Sequence, residues 1–291
     1  MGGAEKKEAS ADEEFKITTT HLGDYLPMDI QKIHEDKNNN TVTFSLKGTN
    51  HAFANALRRA MIENVPTMAI ETVKFSKNSS ILYDEIVSHR LGLVPLTTDL
   101  KGYNLTAGCK CKGEGCARCQ ATFTLKESGA GIVEATSMKS SDPKVKPVYP
   151  IPVVKLLKGQ DIEFEATARL GTGKDHAKFS PCHVWYRYMP IIEIDESACT
   201  NAEEVAKNCP TKVFKAEKGR LKVADREACI LCGACADLGA NNSIKLNETD
   251  KDFLFFVEPW GQLSVKEIVT TALEVLSQDI TAFEEAFKSI A

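Results

Sequence analysis

The cysteines constrain this chain more than any other feature. There are 10 of them, in two tight groups, Cys109/Cys111/Cys116/Cys119 and Cys229/Cys232/Cys235, with Cys182, Cys199 and Cys209 between. At 291 residues the chain buries enough of its unfolded surface to fold without disulfide staples. Its N-terminal stretch, MGGAEKKEASADEE, lacks the apolar segment of a secretory signal, so a cytoplasmic, reducing compartment is expected. There, closely spaced thiols favour metal over disulfides. The same stretch is small, charged and without aromatic residues, and residues 1–14 read as a disordered tail.

The first group has the pattern Cys109-x-Cys111-x4-Cys116-x2-Cys119 within a Gly- and Lys-rich loop. Two short pairs joined by a flexible loop place four thiolates around one tetrahedral ion, and zinc is the expected occupant. Lys110, Lys112 and Arg118 offset the charge of the thiolates. Four cysteines and no histidine point to a closed, structural site. Disulfides, loose surface thiols and a folded but metal-poor loop are the alternatives.

Cys229-x2-Cys232-x2-Cys235 matches the first three ligands of the bacterial-ferredoxin motif C-x2-C-x2-C-x3-C-P. In two-cluster ferredoxins the fourth ligand of each cluster comes from the other motif's Cys-Pro, and Cys209-Pro210 supplies that dipeptide upstream. Counting back in register gives Cys199, Ala202, Val205 and Cys209, so the first motif has lost its second and third ligands. The other Cys-Pro position holds Gly239-Ala240. One [4Fe–4S] cluster on Cys209, Cys229, Cys232 and Cys235 is therefore expected, and the second site is abolished. Zinc in the same thiolates is the competitor. A single cluster has no neighbour in the chain to pass electrons to, which favours a structural or sensing role.

Around these groups the hydrophobic pattern alternates between strand and helix. Thr41–Leu46 has period two, with Asn38-Asn39-Asn40 as a turn before it. Phe53, Ala56/Leu57 and Ala60/Met61 recur at helical spacing until Val65-Pro66, with Asn50 as the expected cap. Asp161 to Leu170 is the clearest strand, with Ile162, Phe164, Ala166, Ala168 and Leu170 on one face. Gly173-Lys174 after it is not a phosphate loop, because Ala168 and Asp175 stand where that motif needs Gly and Ser or Thr; a turn is expected. Val184 to Ile194 is again strand-like. Ser264-x-x-Glu267 is a capping box opening a long C-terminal helix. Its apolar stripe outruns a small sheet, which leaves Phe283, Phe287 and Ile290 to face a partner.

The formal net charge of −4 argues against a free-standing nucleic-acid binder that works by bulk charge. No run approaches the ~20 apolar residues of a membrane span. There is no acidic triplet for catalytic Mg²⁺, no nucleophile elbow, and His51, His89, His176 and His183 are scattered, so no catalytic residue is expected. An iron–sulfur electron-transfer subunit of an oxidoreductase is the alternative function; no flavin or nicotinamide fingerprint accompanies it.

Three segments carry a family resemblance: His51-Ala-Phe-Ala-Asn-Ala-Leu-Arg-Arg-Ala60, Ser88-His-Arg-Leu-Gly-Leu-Val-Pro-Leu96 and Val257-Glu-Pro-Trp-Gly261. With the ferredoxin-like stretch, they resemble the archaeal alpha-like, D-type family of DNA-directed RNA polymerase subunits, related to the eukaryotic third-largest subunit and the bacterial alpha subunit. The resemblance spans about residues 15 to 290. It implies an α+β fold with a discontinuous alpha-type dimerisation domain (15–68, 186–195 and 243–291). A mainly-β domain with the four-cysteine loop (69–185) and a ferredoxin-like [4Fe–4S] domain (196–242) would be inserted in it. It also implies a non-catalytic assembly platform: the chain pairs with subunit L, is joined by subunits N and P, and nucleates the large catalytic subunits. DNA would be met only through the complex. Arg58 and Arg59, on the exposed face of the first helix, become candidate contacts to a large subunit.

Overall fold

The computed structural model describes residues 28–36 and 40–290. The expected tail at 1–14, and Asn38 and Asn39 of the expected turn, lie outside them. The fold is α+β and mostly strands. In chain order the elements are β1 (Asp29–Asp36), β2 (Thr41–Lys47), α1 (His51–Glu63), β3 (Thr67–Asn78), α2 (Asp84–Gly92), β4 (Gln120–Ser128), β5 (Gly131–Glu134), β6 (Lys139–Ser140) and β7 (Pro152–Leu156). There follow β8 (Asp161–Gly171), β9 (Cys182–Ile194), α3 (Ala202–Asn208), β10 (Phe214–Glu217), β11 (Arg220–Val223), α4 (Ala234–Leu238), β12 (Ile244–Pro259) and α5 (Val265–Lys288). The chain divides into two compact units. One holds the described residues up to His34 together with Thr43–His51 and Arg187–Phe255; the other holds Glu35–Val42, Ala52–Tyr186 and the chain from Phe256 onward.

The larger unit is organised by β8, which pairs antiparallel with β3 on one side and β4 on the other, in a sheet of order β3-β8-β4-β6. A strand with a neighbour on each edge and one face covered must alternate, and Ile162, Phe164, Ala166, Ala168 and Leu170 are all buried as expected. They pack with Met68, Ile70, Phe123, Leu125, and Val87 and Leu91 of α2. Each large side chain removed from water contributes roughly 1.5–3 kcal/mol. The opposite face is polar: Arg169 pairs with Glu71 at 2.9 Å, and Lys178 reaches the same carboxylate at 2.5 Å. Burial raises the Glu71 carboxyl, but hydrogen bonds from Lys178 and Arg169 outweigh it and hold it below its ordinary value. Helix α1 buries Ala54, Leu57, Ala60 and Met61. Gly173-Lys174 is a turn, and the Lys174 amide donates to Glu63 O at the end of α1 (2.9 Å).

The other unit contains most of a sheet of order β1-β2-β12-β9, in which Phe44 and Phe255 stack at 5.1 Å. It also contains a small module: α3, the β10–β11 hairpin and α4, around a core of Cys199, Val205, Cys209, Val213, Phe214, Leu221, Cys229, Cys235 and Ile244. Lys218 and Gly219, at φ 52° and 77°, close the hairpin in the left-handed conformations that two-residue hairpins require.

Candidate metal centres and a partner-facing helix

The first cysteine group converges. The sulfurs of Cys109, Cys111, Cys116 and Cys119 lie within 4.8 Å of one another. The Cys109–Cys116, Cys111–Cys119 and Cys116–Cys119 separations are 3.6, 3.5 and 3.7 Å. These are too long for disulfides. They match the edge of roughly 3.8 Å that follows from four sulfurs placed tetrahedrally about 2.3 Å from one ion. Backbone geometry brings them there: Lys112, Gly113 and Gly115 take φ of 53°, 90° and 92°, and the Cys116 amide donates to Cys119 Sγ at 3.2 Å. A side chain at Gly115 would also run into the Gln120 amide. Hydrogen bonding to Cys109 lowers the Cys111 thiol to about 6, helped by the Gly113 and Gly115 amides, whereas burial pushes Cys119 up to about 12. This four-cysteine group can hold a metal ion.

The second group is arranged differently. Cys209, Cys229 and Cys235 are buried in the core of the small module and Cys232 is exposed; Cys199 is buried beside them. Among the described residues they do not converge on a point as the first four do. The loop presents backbone donors to the sulfurs: Val213 N–H reaches Cys209 Sγ at 3.4 Å and Leu231 N–H reaches Cys229 Sγ at 3.5 Å. Leu231 takes φ 55° to do so. Burial raises the Cys209 thiol, but the amides of Val213, Thr211 and Lys212 and the Thr211 hydroxyl outweigh it and hold it below its usual value. Half-buried Arg187, whose Nη2 donates to Glu227 O, adds positive charge near Cys229. Sequence reasoning missed Arg187, since strand alternation alone carries no sign of a loop distant in sequence. Cys182 stands apart in the larger unit, 3.8 Å from Met61 O, its thiol pushed up to about 12 by burial.

The candidate partner-facing residues lie on two helices of the larger unit. Helix α5 starts with the expected capping box: Ser264 Oγ accepts from the Glu267 amide, and the Glu267 carboxylate accepts from the Ser264 amide at 3.0 Å. Ile268, Val269 and Ala272 are buried, and from Ser277 to Ile290 every residue is exposed. Along that segment Ile280, Phe283, Phe287 and Ile290 are 60%, 70%, 61% and 83% exposed on one face. On α1, Arg58 is half-buried and donates to Asn55 Oδ1 (3.0 Å); Arg59 is exposed and paired with Glu63 (3.1 Å). No helix among the described residues is long and apolar enough to cross a membrane.

Comparison with known proteins identifies the lineage. The family model of the RNA polymerase Rpb3/RpoA insert domain matches residues 68–195. The chain is 41% identical to the DNA-directed RNA polymerase subunit Rpo3 of Archaeoglobus fulgidus, over 81% of this chain and 89% of that protein. It is 36% identical to the Rpo3 of Methanosphaera stadtmanae, over 84% and 93% of the two chains. Against the DNA-directed RNA polymerase II subunit rpb3 of Dictyostelium discoideum identity is 34%, over 84% and 90%. Identity of this degree along nearly the whole of its relatives, with the insert domain in place, makes the chain a member of the Rpo3/Rpb3 family of DNA-directed RNA polymerase subunits.

Proposed function

We propose that this chain is a non-catalytic assembly subunit of a cytoplasmic DNA-directed RNA polymerase, pairing with subunit L and receiving subunits N and P and the large catalytic subunits. Family membership supports the polymerase; the exposed end of α5 supports the pairing. An apolar face of Ile280, Phe283, Phe287 and Ile290 on a helix whose residues are all exposed from Ser277 to Ile290 costs solubility unless another chain covers it. Arg58 and Arg59 on α1 would then meet a large subunit. The discontinuous division into 15–68 with 186–195 and 243–291, 69–185, and 196–242 belongs to the same proposal. No observation favours the electron-transfer alternative.

Two cofactors fit the thiols. Zinc suits the first group, because four sulfurs at tetrahedral spacing in a Gly-containing loop offer no open position. One [4Fe–4S] cluster suits Cys209, Cys229, Cys232 and Cys235, because three of these thiols are buried in an apolar core, two of them receive backbone amides, and the spacing is that of a cluster motif. When bound, each group would cross-link its loop, and the cluster would add a one-electron site. The chain's own part is to hold thiols, amides and Arg187 in place and to keep water out.

The test is to purify the tagged chain, without oxygen, from cells that make it. The expected preparation is a brown multi-subunit complex with DNA-dependent RNA synthesis, containing iron and one zinc beyond that of its other subunits. Recovery of the chain without the large subunits refutes the assembly role. Recovery of the complex without iron refutes only the cluster.

A further inference from the structure

Within the unit that contains Arg187–Phe255, one side chain ties the second cysteine group to the sheet. Arg187 stands on β9, at one edge of the order β1-β2-β12-β9. Its Nη2 donates to Glu227 O, 40 residues further along the chain and two residues before Cys229. The segment it grips is a turn closed on itself. The Asp225 carboxylate accepts from the Ala228 amide at 3.1 Å, and the Cys229 amide donates to Arg226 O at 3.1 Å. Ala228 packs against the core that holds Cys199, Cys209, Cys229 and Cys235. A turn bonded only to itself moves as a body. The bond from Arg187 fixes it to a strand, so the placing of Cys229 depends on β9.

Any donor could serve the Glu227 carbonyl, but an arginine also brings a charge. The guanidinium stays protonated at physiological pH and is weakly hydrated, so it can be drawn partly out of water. Arg187 is half-buried, whereas Arg226 of the same turn is exposed. Burial lowers the pKa of Arg187, and the negative charges of Cys229 and Asp225 raise it. Asp225 is exposed and screened by water, whereas Cys229 is buried. The positive charge therefore bears chiefly on the buried thiol.

We infer that Arg187 is a positioning residue of the iron–sulfur site, holding the Cys229 turn through Glu227 O and favouring the reduced cluster with its fixed charge. This rests on the proposal of one cluster on Cys209, Cys229, Cys232 and Cys235. Reduction by one electron adds a negative charge to a group that its four thiolates already make anionic. A cation held partly out of water beside it raises the midpoint potential.

The full-length chain is purified without oxygen and titrated with dithionite, and reduction is followed by electron paramagnetic resonance. Loss of iron to the chelator bathophenanthroline is timed in parallel. Arg187→Lys keeps the charge without the planar fork, Arg187→Gln keeps a donor without the charge, and Arg187→Met keeps neither. In the glutamine and methionine variants the reduced-to-oxidised ratio at a fixed potential should fall about ten-fold, which is about 59 mV for a one-electron couple. In the lysine variant it should stay near the parent's. The methionine variant should lose iron about five-fold faster or more, as the loss of one hydrogen bond allows, or take up no iron while the other two variants do. Arg226→Met, which removes an exposed charge from the same turn, should match the parent in both measurements. A glutamine variant with the parent's potential, or an equal fall in Arg226→Met, overturns the role of the charge. A methionine variant that loses iron at the parent's rate overturns the positioning. A parent with zinc or no metal on these thiols refutes the cluster itself, whereas an iron-loaded parent with unmoved variants overturns this inference alone.

Discussion

Gly173→Ala tests the packing that positions α1. An ideal Cβ at Gly173 falls 2.1 Å from Ile62 O and 3.1 Å from Glu63 Cα. Non-bonded carbon contacts settle at roughly 3.5–4.0 Å, so the turn and the helix end must part by roughly 1.4 Å. The obstacle is backbone and cannot rotate away, which puts the overpacking cost toward the upper end of about 1–3 kcal/mol. The Lys174 amide bond to Glu63 O, 2.9 Å long, lies beside the clash. Losing it adds about 1 kcal/mol. The sum, about 4 kcal/mol, lowers the melting temperature by about 8–16 °C for a unit of this size. Circular dichroism melts of parent and variant provide the assay. Gly131→Ala is the control, since a Cβ there meets nothing within 4 Å. It should melt within about 2 °C of the parent, as an exposed substitution without a clash does. If Gly173→Ala melts with the control, the close approach is not a constraint.

Other perturbations follow from the same contacts. Ser264→Ala removes the acceptor for the Glu267 amide and should cost about 1 kcal/mol, with Ser264→Thr restoring most of it in the same melts. Cys119→Ser should remove one equivalent of bound metal, read by elemental analysis, and leave the rest of the sheet folded. Cys182 has its thiol raised to about 12 in the folded chain against an ordinary value near 9. The folded state therefore keeps a proton that the unfolded state gives up. Its contribution is complete below the ordinary thiol value and declines as pH rises from there toward the folded value. Alkaline melts should show this decline in the parent and its absence in Cys182→Ala, whose baseline stability is lower for the lost packing.

Much of the fold was legible because the strongest patterns had one physical solution. β8 alternates because it has neighbours on both edges and a single core face, and Ser264 with Glu267 reads as a cap because each side chain answers the other's free amide. The face of Phe283, Phe287 and Ile290 was visible as the far end of an apolar stripe on one long helix, and all three are more than half exposed. In α1 the pattern placed Ala56 inward, whereas Ala54 is fully buried with Leu57, Ala60 and Met61; small side chains leave the facing angle loosely defined. The convergence of Cys109, Cys111, Cys116 and Cys119 follows from spacing plus left-handed backbone at Lys112, Gly113 and Gly115, and only the glycines advertise the latter. Arg187 beside Cys229 depends on tertiary approach, so no local pattern carries it. Division into two units within β2, β9 and β12 was likewise hidden, because alternation continues through the boundary.

The central claim is that the exposed end of α5 joins this chain to a polymerase partner. Phe283 and Phe287, their rings 6.4 Å apart and both more than half exposed, can be replaced without touching the core. The parent and the double variant Phe283→Asp/Phe287→Asp should be co-expressed with subunit L and weighed by sedimentation equilibrium. The account predicts a one-to-one complex for the parent and separate chains for the variant, with the variant's own melting temperature unchanged. A variant that still forms the complex, or a parent that never does, contradicts it.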